Sequence, residues 1–512
     1  MRTIELMLLL VNCATLILLI FARYSQNLRG RSKAVWLGSA ALNLIILLLH
    51  IAIEGIRAQL FVSYIFVVVM VLAAVVVTLR EPKENMKPRR KIAAVFKGVG
   101  VGFVVLLLGF TAVLASVLPV PTLPAPTGTY AVGVQYLHLV DENRDNSFFT
   151  GSTDNRELMV KIYYPAEGDA AQPFLPYFRN SRELAGAYLS EEGFPGVFFE
   201  HLVYTQTYSK ENLQLAGQHS SYPVILFSHG WGYSIELYTT QCEDLASHGY
   251  IVAAIDHTFM NGAALLPGGI VGMSESPVYS GNIYPQISLD LVQITAGDAI
   301  FVINVLEELN SGERSSLFKE RLNLGSLGMV GHSLGGTAAY YLAINDSRIN
   351  AAINLDGVPQ LIHNSNTEAA PILLITNEDN WVVCPEAVLP KLEDLPRDYS
   401  ALMLESFGSE AAYEENKQRT LEAILEFSDI LARTQTLFLI EGSQHSAFSD
   451  LGFVLGKPLD QLFGVGTTKA ATSLEITQAL TLAFFDQHLK GRSENSLDTI
   501  VENYAELHRV DL

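Results

Sequence analysis

A chain of 512 residues, 49% of them hydrophobic, with a formal net charge of −20, has material for one large domain plus an appendage and points to a membrane. The charge is divided unevenly. Residues 1–119 hold 13 of the 33 basic but only 4 of the 53 acidic residues, which leaves residues 120–512 a net charge near −29. Such a domain repels nucleic acid and strongly anionic surfaces, and it has no basic cluster to bind a phosphate polymer.

Residues 5–22, about 35–53, 59–79 and 98–119 are each apolar over close to the ~20 residues that cross a bilayer as helix. The first does not read as a cleaved signal peptide, because three more runs follow and no small-x-small site precedes Arg23. Arg23, Arg29, Arg31 and Lys33 separate the first two spans. Arg80, Lys83, Lys87, Arg89, Arg90, Lys91 and Lys97 separate the last two, while the second and third are separated only by Arg57. The positive-inside bias predicts both basic loops in the cytoplasm, the N-terminus outside, and everything after the fourth span on the extracytoplasmic side of the plasma membrane.

Residues 120–130 form a proline-rich linker, expected to be extended and fairly stiff. From residue 131 to 512, short apolar runs alternate with helical patterns. The runs at 158–164, 222–228, 250–256, 327–330, 349–355, 371–376 and 436–440 read as strands, and 235–248, 289–310, 335–345 and 473–489 as helices. Apolar strands alternating with helices predict an α/β domain whose mainly parallel sheet is covered on both faces. Two segments stand outside this alternation. Residues 172–220 are rich in aromatics (Phe174, Tyr177, Phe178, Phe199) and 385–435 read as charged amphipathic helix; both are candidate lids or caps. Cys13 lies in a span, and Cys242 and Cys384, far apart, define no disulfide framework although an oxidising compartment would let them pair.

The motif that carries chemistry is Gly331-His332-Ser333-Leu334-Gly335-Gly336, directly after the apolar run 327–330. Glycines two before and two after the serine let the backbone turn sharply from strand to helix, which exposes the hydroxyl beside the helix's positive end. A serine needs a base, and the base a third group to orient it. His445, in the loop after the strand at 436–440, is the candidate base; His363 sits too close to the acid, and His488 and His508 lie on or after the terminal helix. For the acid, the residues alone leave open Asp356, after the strand at 349–355, and Glu378 or Asp379, after the next strand. Two backbone N–H donors must face the developing oxyanion. Leu334 supplies one, and Trp231, in the loop His229-Gly230-Trp231-Gly232, the other.

Asp141-Glu142-Asn143-Arg144-Asp145 begins like a calcium loop, but Asn146 stands where glycine is needed and Ser152 where glutamate is. No His, Cys and carboxylate cluster has zinc spacing, so the expected chemistry uses neither metal nor cofactor.

In this combination of motifs the chain resembles the α/β-hydrolase family of platelet-activating factor acetylhydrolases of the plasma and intracellular type II kind. The likeness runs from Pro124 through Phe227-Ser228-His229-Gly230-Trp231-Gly232, 245–257, the Ser333 motif and Asn354-Leu355-Asp356 to Gly442-Ser443-Gln444-His445. It implies hydrolysis, without calcium, of short or oxidised acyl esters, typically on phospholipids. It also favours Asp356 as the acid, with Asp379 as fallback. The four N-terminal spans and the aromatic insertion depart from the family. Membrane-anchored bacterial relatives are commonly assigned as lipase-like or dienelactone-hydrolase-like carboxylesterases.

Overall fold

The computed structural model describes residues 1–22, 25, 31–79, 91–179, 181–188, 195–273, 284–358, 369–380, 382–383, 400–401, 403–404, 407–434, 436–492 and 497–510, those at 91–99, 188, 284–289 and 433–434 by backbone alone. Most residues of the two basic loops, together with His363 and Cys384, lie outside the described residues. Cys242 is free and buried.

Among the described residues four helices come first: α1 (Thr3–Ala22), α2 (Ser32–Ile53), α3 (Phe61–Leu79, preceded by the 3-10 turn Ala58–Leu60) and α4 (Lys91–Val117). Each holds a stretch long and apolar enough to cross a membrane, and side chains such as Leu10, Phe21, Leu72 and Leu106 lie exposed on the bundle surface. A water-soluble bundle would bury such a stripe, whereas a lipid-facing one leaves it outside. The bundle is a multi-pass membrane region.

The rest of the chain builds a ten-stranded sheet in the order β12-β11-β10-β9-β8-β4-β5-β2-β1-β3. Its strands are β1 (Ala131–Asp145), β2 (Asn155–Ala166), β3 (Ser209–Glu211), β4 (Tyr222–Ser228) and β5 (Ile251–Asp256); after a separate hairpin, β6 (Ala263–Leu266) and β7 (Gly269–Gly272), come β8 (Leu322–His332), β9 (Ile349–Leu355), β10 (Ile372–Thr376), β11 (Leu437–Ile440) and β12 (Leu507–Arg509). The six central strands, β11 to β5, run parallel, and their carboxyl ends share one edge. All seven expected strands are present. They are apolar throughout because one core packs on each face: Phe227, Val330, Ile353 and Phe484 on one side, Leu226, Met329, Ala352 and Tyr340 on the other. Strand β1 escaped the pattern, since it pairs antiparallel with β2 near the sheet's end and mixes buried with exposed positions. Its end, Asp141–Asp145, is the stretch that begins like a calcium loop.

The linker is not a free tether. Leu118 and Leu123 are buried in the core, and Thr127 bonds the Asp244 carboxylate through its N–H (2.7 Å) and hydroxyl (2.8 Å). The aromatic insertion holds the helix Arg182–Tyr188, two 3-10 turns and β3, and its Tyr177, Phe178 and Phe199 are core residues. Helix Glu410–Thr434, within the second insertion, connects β10 to β11 and buries Phe427 against Tyr340. That helix is a covering layer of the sheet.

Asp450 is buried against the Tyr177 hydroxyl (3.0 Å), the Thr240 N–H (3.3 Å) and the Thr240 hydroxyl. Burial pushes its carboxyl up to about 7, although these donors pull the other way. The fold thus favours the neutral acid, a contribution complete below the ordinary carboxylate range and lost as pH rises through about 7. Asp450→Asn should therefore raise the thermal midpoint, relative to wild type, at about pH 9 compared with about pH 4. Hydrogen bonds lost to the amide are common to both conditions, so an equal offset at the two pH values would show that the carboxyl is not shifted.

Candidate active site

Ser333 sits between β8 and the helix Leu334–Asn345 with φ 53° and ψ −118°, a left-handed conformation that a serine adopts only under constraint. The constraint is close packing. A Cβ at Gly331 would run into the Gly335 backbone, and one at Gly335 into the carbonyl of Ser228. The Ser333 N–H bonds the Leu355 carbonyl (2.9 Å), and its own carbonyl accepts the Thr337 N–H (3.0 Å). Leu334 begins the helix, where first-turn N–H groups have no intrahelical acceptor.

Asp356, at the end of β9, is buried and also has a positive φ, 55°. Its carboxylate accepts bonds from His445 Nδ1 (2.5 Å), the Thr376 hydroxyl (2.5 Å), Asn377 Nδ2 (2.6 Å) and Asn380 Nδ2 (2.9 Å). Burial alone would raise its pKa, but the bond to His445 and those from Thr376 and Asn380 outweigh it and hold the carboxyl below the ordinary range. His445 opens a 3-10 turn after β11, and its side chain is 46% exposed while Asp356 is 3% exposed. Solvent thus reaches the imidazole while the carboxylate stays sealed. Glu378 and Asp379 are both exposed, and the Asp379 N–H bonds Asn377 Oδ1 (2.8 Å). The segment contributes Asn377 and Asn380 as donors to Asp356, a role that sequence reasoning did not assign to it.

His332, inside the motif, was also missed as a functional position. Its Nε2 lies 2.8 Å from the His445 carbonyl, which can only accept, so Nε2 carries the proton and Nδ1 accepts from the Tyr238 hydroxyl (2.7 Å). The Tyr238 oxygen in turn accepts the Gly230 N–H (3.3 Å). One directed chain therefore joins the loop that bears His445 to the loop that bears Trp231. Burial, with His445 nearby, depresses His332 to about 3, so the ring stays neutral across the physiological range.

A second chain lies beneath the Trp231 loop. His229 Nδ1 donates to the Gly230 carbonyl (2.7 Å), so its Nε2 accepts the His257 N–H (3.0 Å). His257 Nδ1 bonds Asp298 (2.9 Å), which also takes both arms of the buried Arg156 (2.9 and 2.7 Å). A Cβ at Gly230 would lie 3.0 Å from Ser333 Cβ, so this loop is pressed against the serine. The side chains of Trp231 and Leu334 pack with Phe149, Met260 and Leu291. Of the aromatics in 172–220, Tyr177, Phe178 and Phe199 are buried in the core, while Phe174 is 43% exposed.

A mainly parallel sheet whose carboxyl edge brings together a serine at a strained elbow, a histidine and a buried carboxylate defines an α/β-hydrolase. Comparison with known proteins agrees. The family model "Platelet-activating factor acetylhydrolase, isoform II" matches residues 116–264 and 286–506, and the chain belongs to that family. The platelet-activating factor acetylhydrolase of the dog (Canis lupus familiaris) is 23% identical over 394 residues, covering 71% of this chain and 80% of its own. A probable 1-alkyl-2-acetylglycerophosphocholine esterase of Arthroderma benhamiae is 26% identical over 275 residues, 50% of this chain and 64% of its own. Among solved structures, a ferulic acid esterase from Streptomyces cinnamoneus superposes with a TM-score of 0.54 at 26% identity, covering 76% of this chain and 99% of that one. At this general level the protein is an ester hydrolase.

The His332 chain makes a prediction. Tyr238→Phe removes one hydroxyl and so both of its bonds. With p-nitrophenyl acetate it should lower kcat about tenfold with KM nearly unchanged, as expected when orientation but not binding is lost. A change confined to KM would contradict it.

Proposed function

We propose that the protein is a membrane-anchored serine carboxylic-ester hydrolase that cleaves short or oxidised acyl esters of phospholipids. The observation that carries the reading is the 2.5 Å pair of His445 and Asp356 beside a serine held at φ 53°. Ser333 attacks the ester carbonyl while His445 Nε2 takes its proton. Asp356 keeps Nδ1 protonated and stabilises the imidazolium that forms. The tetrahedral oxyanion takes the backbone N–H groups of Leu334 and Trp231. Collapse expels the alcohol with the proton returned from His445. Water, deprotonated by the same imidazole, then frees Ser333 and releases the acid. The family and the activities for which the mammalian and fungal relatives are named support a phospholipid ester with a short acyl chain. Anchoring through four apolar helices supports a substrate drawn from the bilayer. Residues 1–119 are read as the membrane region and 131–512 as the catalytic domain. The basic loops favour an extracytoplasmic catalytic domain at the plasma membrane.

A broad carboxylesterase with the same triad is the second reading, favoured by the likeness to a ferulic acid esterase. A panel of acyl lengths separates the two. Phospholipids with short sn-2 chains should be hydrolysed faster than simple soluble esters, and equal or slower cleavage would favour the second. Covalent labelling by a fluorophosphonate should occur in the wild type and vanish in Ser333→Ala; a wild type that does not label would falsify the enzyme reading. Asp356→Asn should lower kcat by up to about 10⁴ with little change in KM, since the amide favours the wrong imidazole tautomer. Asp379→Asn should leave kcat within about twofold, as expected of an exposed surface position.

A further inference from the structure

The membrane bundle and the sheet meet at particular places. Arg57, between α2 and α3, is fully buried: it pairs with Glu5 of α1 (2.8 Å) and donates to the Leu118 carbonyl just past α4. Gln59 Nε2 donates to the Phe198 carbonyl (2.5 Å) and to His201 Nδ1 (3.0 Å). His201 Nε2 therefore carries the proton and bonds the Pro119 carbonyl (2.8 Å). The Tyr204 hydroxyl donates to the Ile56 carbonyl (3.1 Å), and the Gly456 N–H to the Val117 carbonyl (2.8 Å).

These partners belong to the carboxyl edge of the sheet. Gly456 lies in the loop that starts at β11 and carries His445. The turn Glu200–Tyr204 packs on the helix Arg182–Tyr188, which touches the β6–β7 hairpin leaving the carboxyl end of β5. The linker shows the same direction. It starts beside Gly456 and ends at Asp244 and Ser247, at the far end of the helix Thr239–Ser247, next to the amino end of β5. The chain thus leaves the bundle at the edge that bears Ser333 and crosses the domain before its first strand begins. At the same edge, Val197 (49% exposed) adjoins Phe198, which Gln59 binds, and Leu462 (75% exposed) lies two residues before Gly464, whose carbonyl accepts the Ser446 N–H.

We infer that the catalytic edge is docked against the end of the membrane bundle, with Val197 and Leu462 in the bilayer surface. Arg57, Gln59 and Tyr204 are the positioning residues of this dock. The enzyme takes its ester out of the bilayer to which it is anchored, and a water-borne ester reaches Ser333 without the benefit of the dock. The choice of substrate phase rests on the serine-esterase reading; the dock itself does not.

Two measurements test it. In full-length protein without its three native cysteines, an environment-sensitive fluorophore is placed at Leu462→Cys, Val197→Cys or, at the amino edge before β8, Glu313→Cys. In phosphatidylcholine vesicles containing nitroxide lipid, the first two should be quenched and the third not. Equal quenching at all three, or none at 197 and 462, overturns the dock whatever the protein catalyses. In the second measurement, Gln59→Ala with Tyr204→Phe spares the buried Arg57–Glu5 pair, whose loss risks misfolding. The double variant should hydrolyse p-nitrophenyl acetate at the wild-type rate but a vesicle-embedded short-chain phospholipid about tenfold more slowly, because the loosened domain loses effective concentration at the bilayer. A parallel fall on both substrates, or no change on either, overturns the role of the dock in substrate choice. A wild type inert towards both esters and towards fluorophosphonate counts against the esterase reading and leaves the quenching result standing.

Discussion

A carboxylate sealed from water stays ionised only if the protein replaces its hydration shell, and the candidate site depends on Asp356 meeting that condition. Three side chains from β10 and the turn after it donate to the carboxylate, leaving one direction for His445. Without them burial would neutralise the acid, and a neutral acid has no charge with which to stabilise an imidazolium. The position of Asp356 at the end of β9 is fixed from the backbone as well, since its N–H bonds the Ile375 carbonyl of β10 (2.9 Å). Two adjacent parallel strands therefore set both the place and the charge of the acid.

The histidines around the site serve a different purpose. His229, His257 and His332 are buried, and burial depresses each of them, His229 and His332 to about 3. A neutral imidazole with a fixed tautomer donates at one nitrogen and accepts at the other, so it transmits direction along a chain of bonds. Here two such chains converge on Gly230, one reaching its N–H through Tyr238 and the other its carbonyl through His229. Gly230, the residue before Trp231, is thus held at both its N–H and its carbonyl, which is the kind of preorganisation that oxyanion stabilisation requires.

The sequence made the fold legible where hydrophobic pattern and topology agree. Apolar runs such as 222–228 and 349–355 can only be strands buried on both faces, and the order serine, acid, histidine follows from the parallel sheet. Ser333 and His445 were legible because glycine spacing and chain order constrain them locally. The choice between Asp356 and Asp379 was not, because it turns on which side chain lies within 2.5 Å of an imidazole 89 residues away. The supporting residues were equally hidden. Asn377, Asn380, Tyr238 and His257 belong to common loop and core types, and only tertiary contact gives them partners. The partners of the aromatic insertion were hidden in the same way: Tyr177, Phe178 and Phe199 belong to the same core as Leu118 and Leu123, while Phe149, Met260 and Leu291 from elsewhere pack against Trp231.

The linker's bond from Thr127 to Asp244 bears on the order of events as the chain is made. Residues 118–128 emerge long before the helix Thr239–Ser247 exists to receive them, so the strap has nothing to bind until the crossover from β4 to β5 is complete. The strap between the membrane region and the first strand can therefore close only on a domain in which that later helix has already folded.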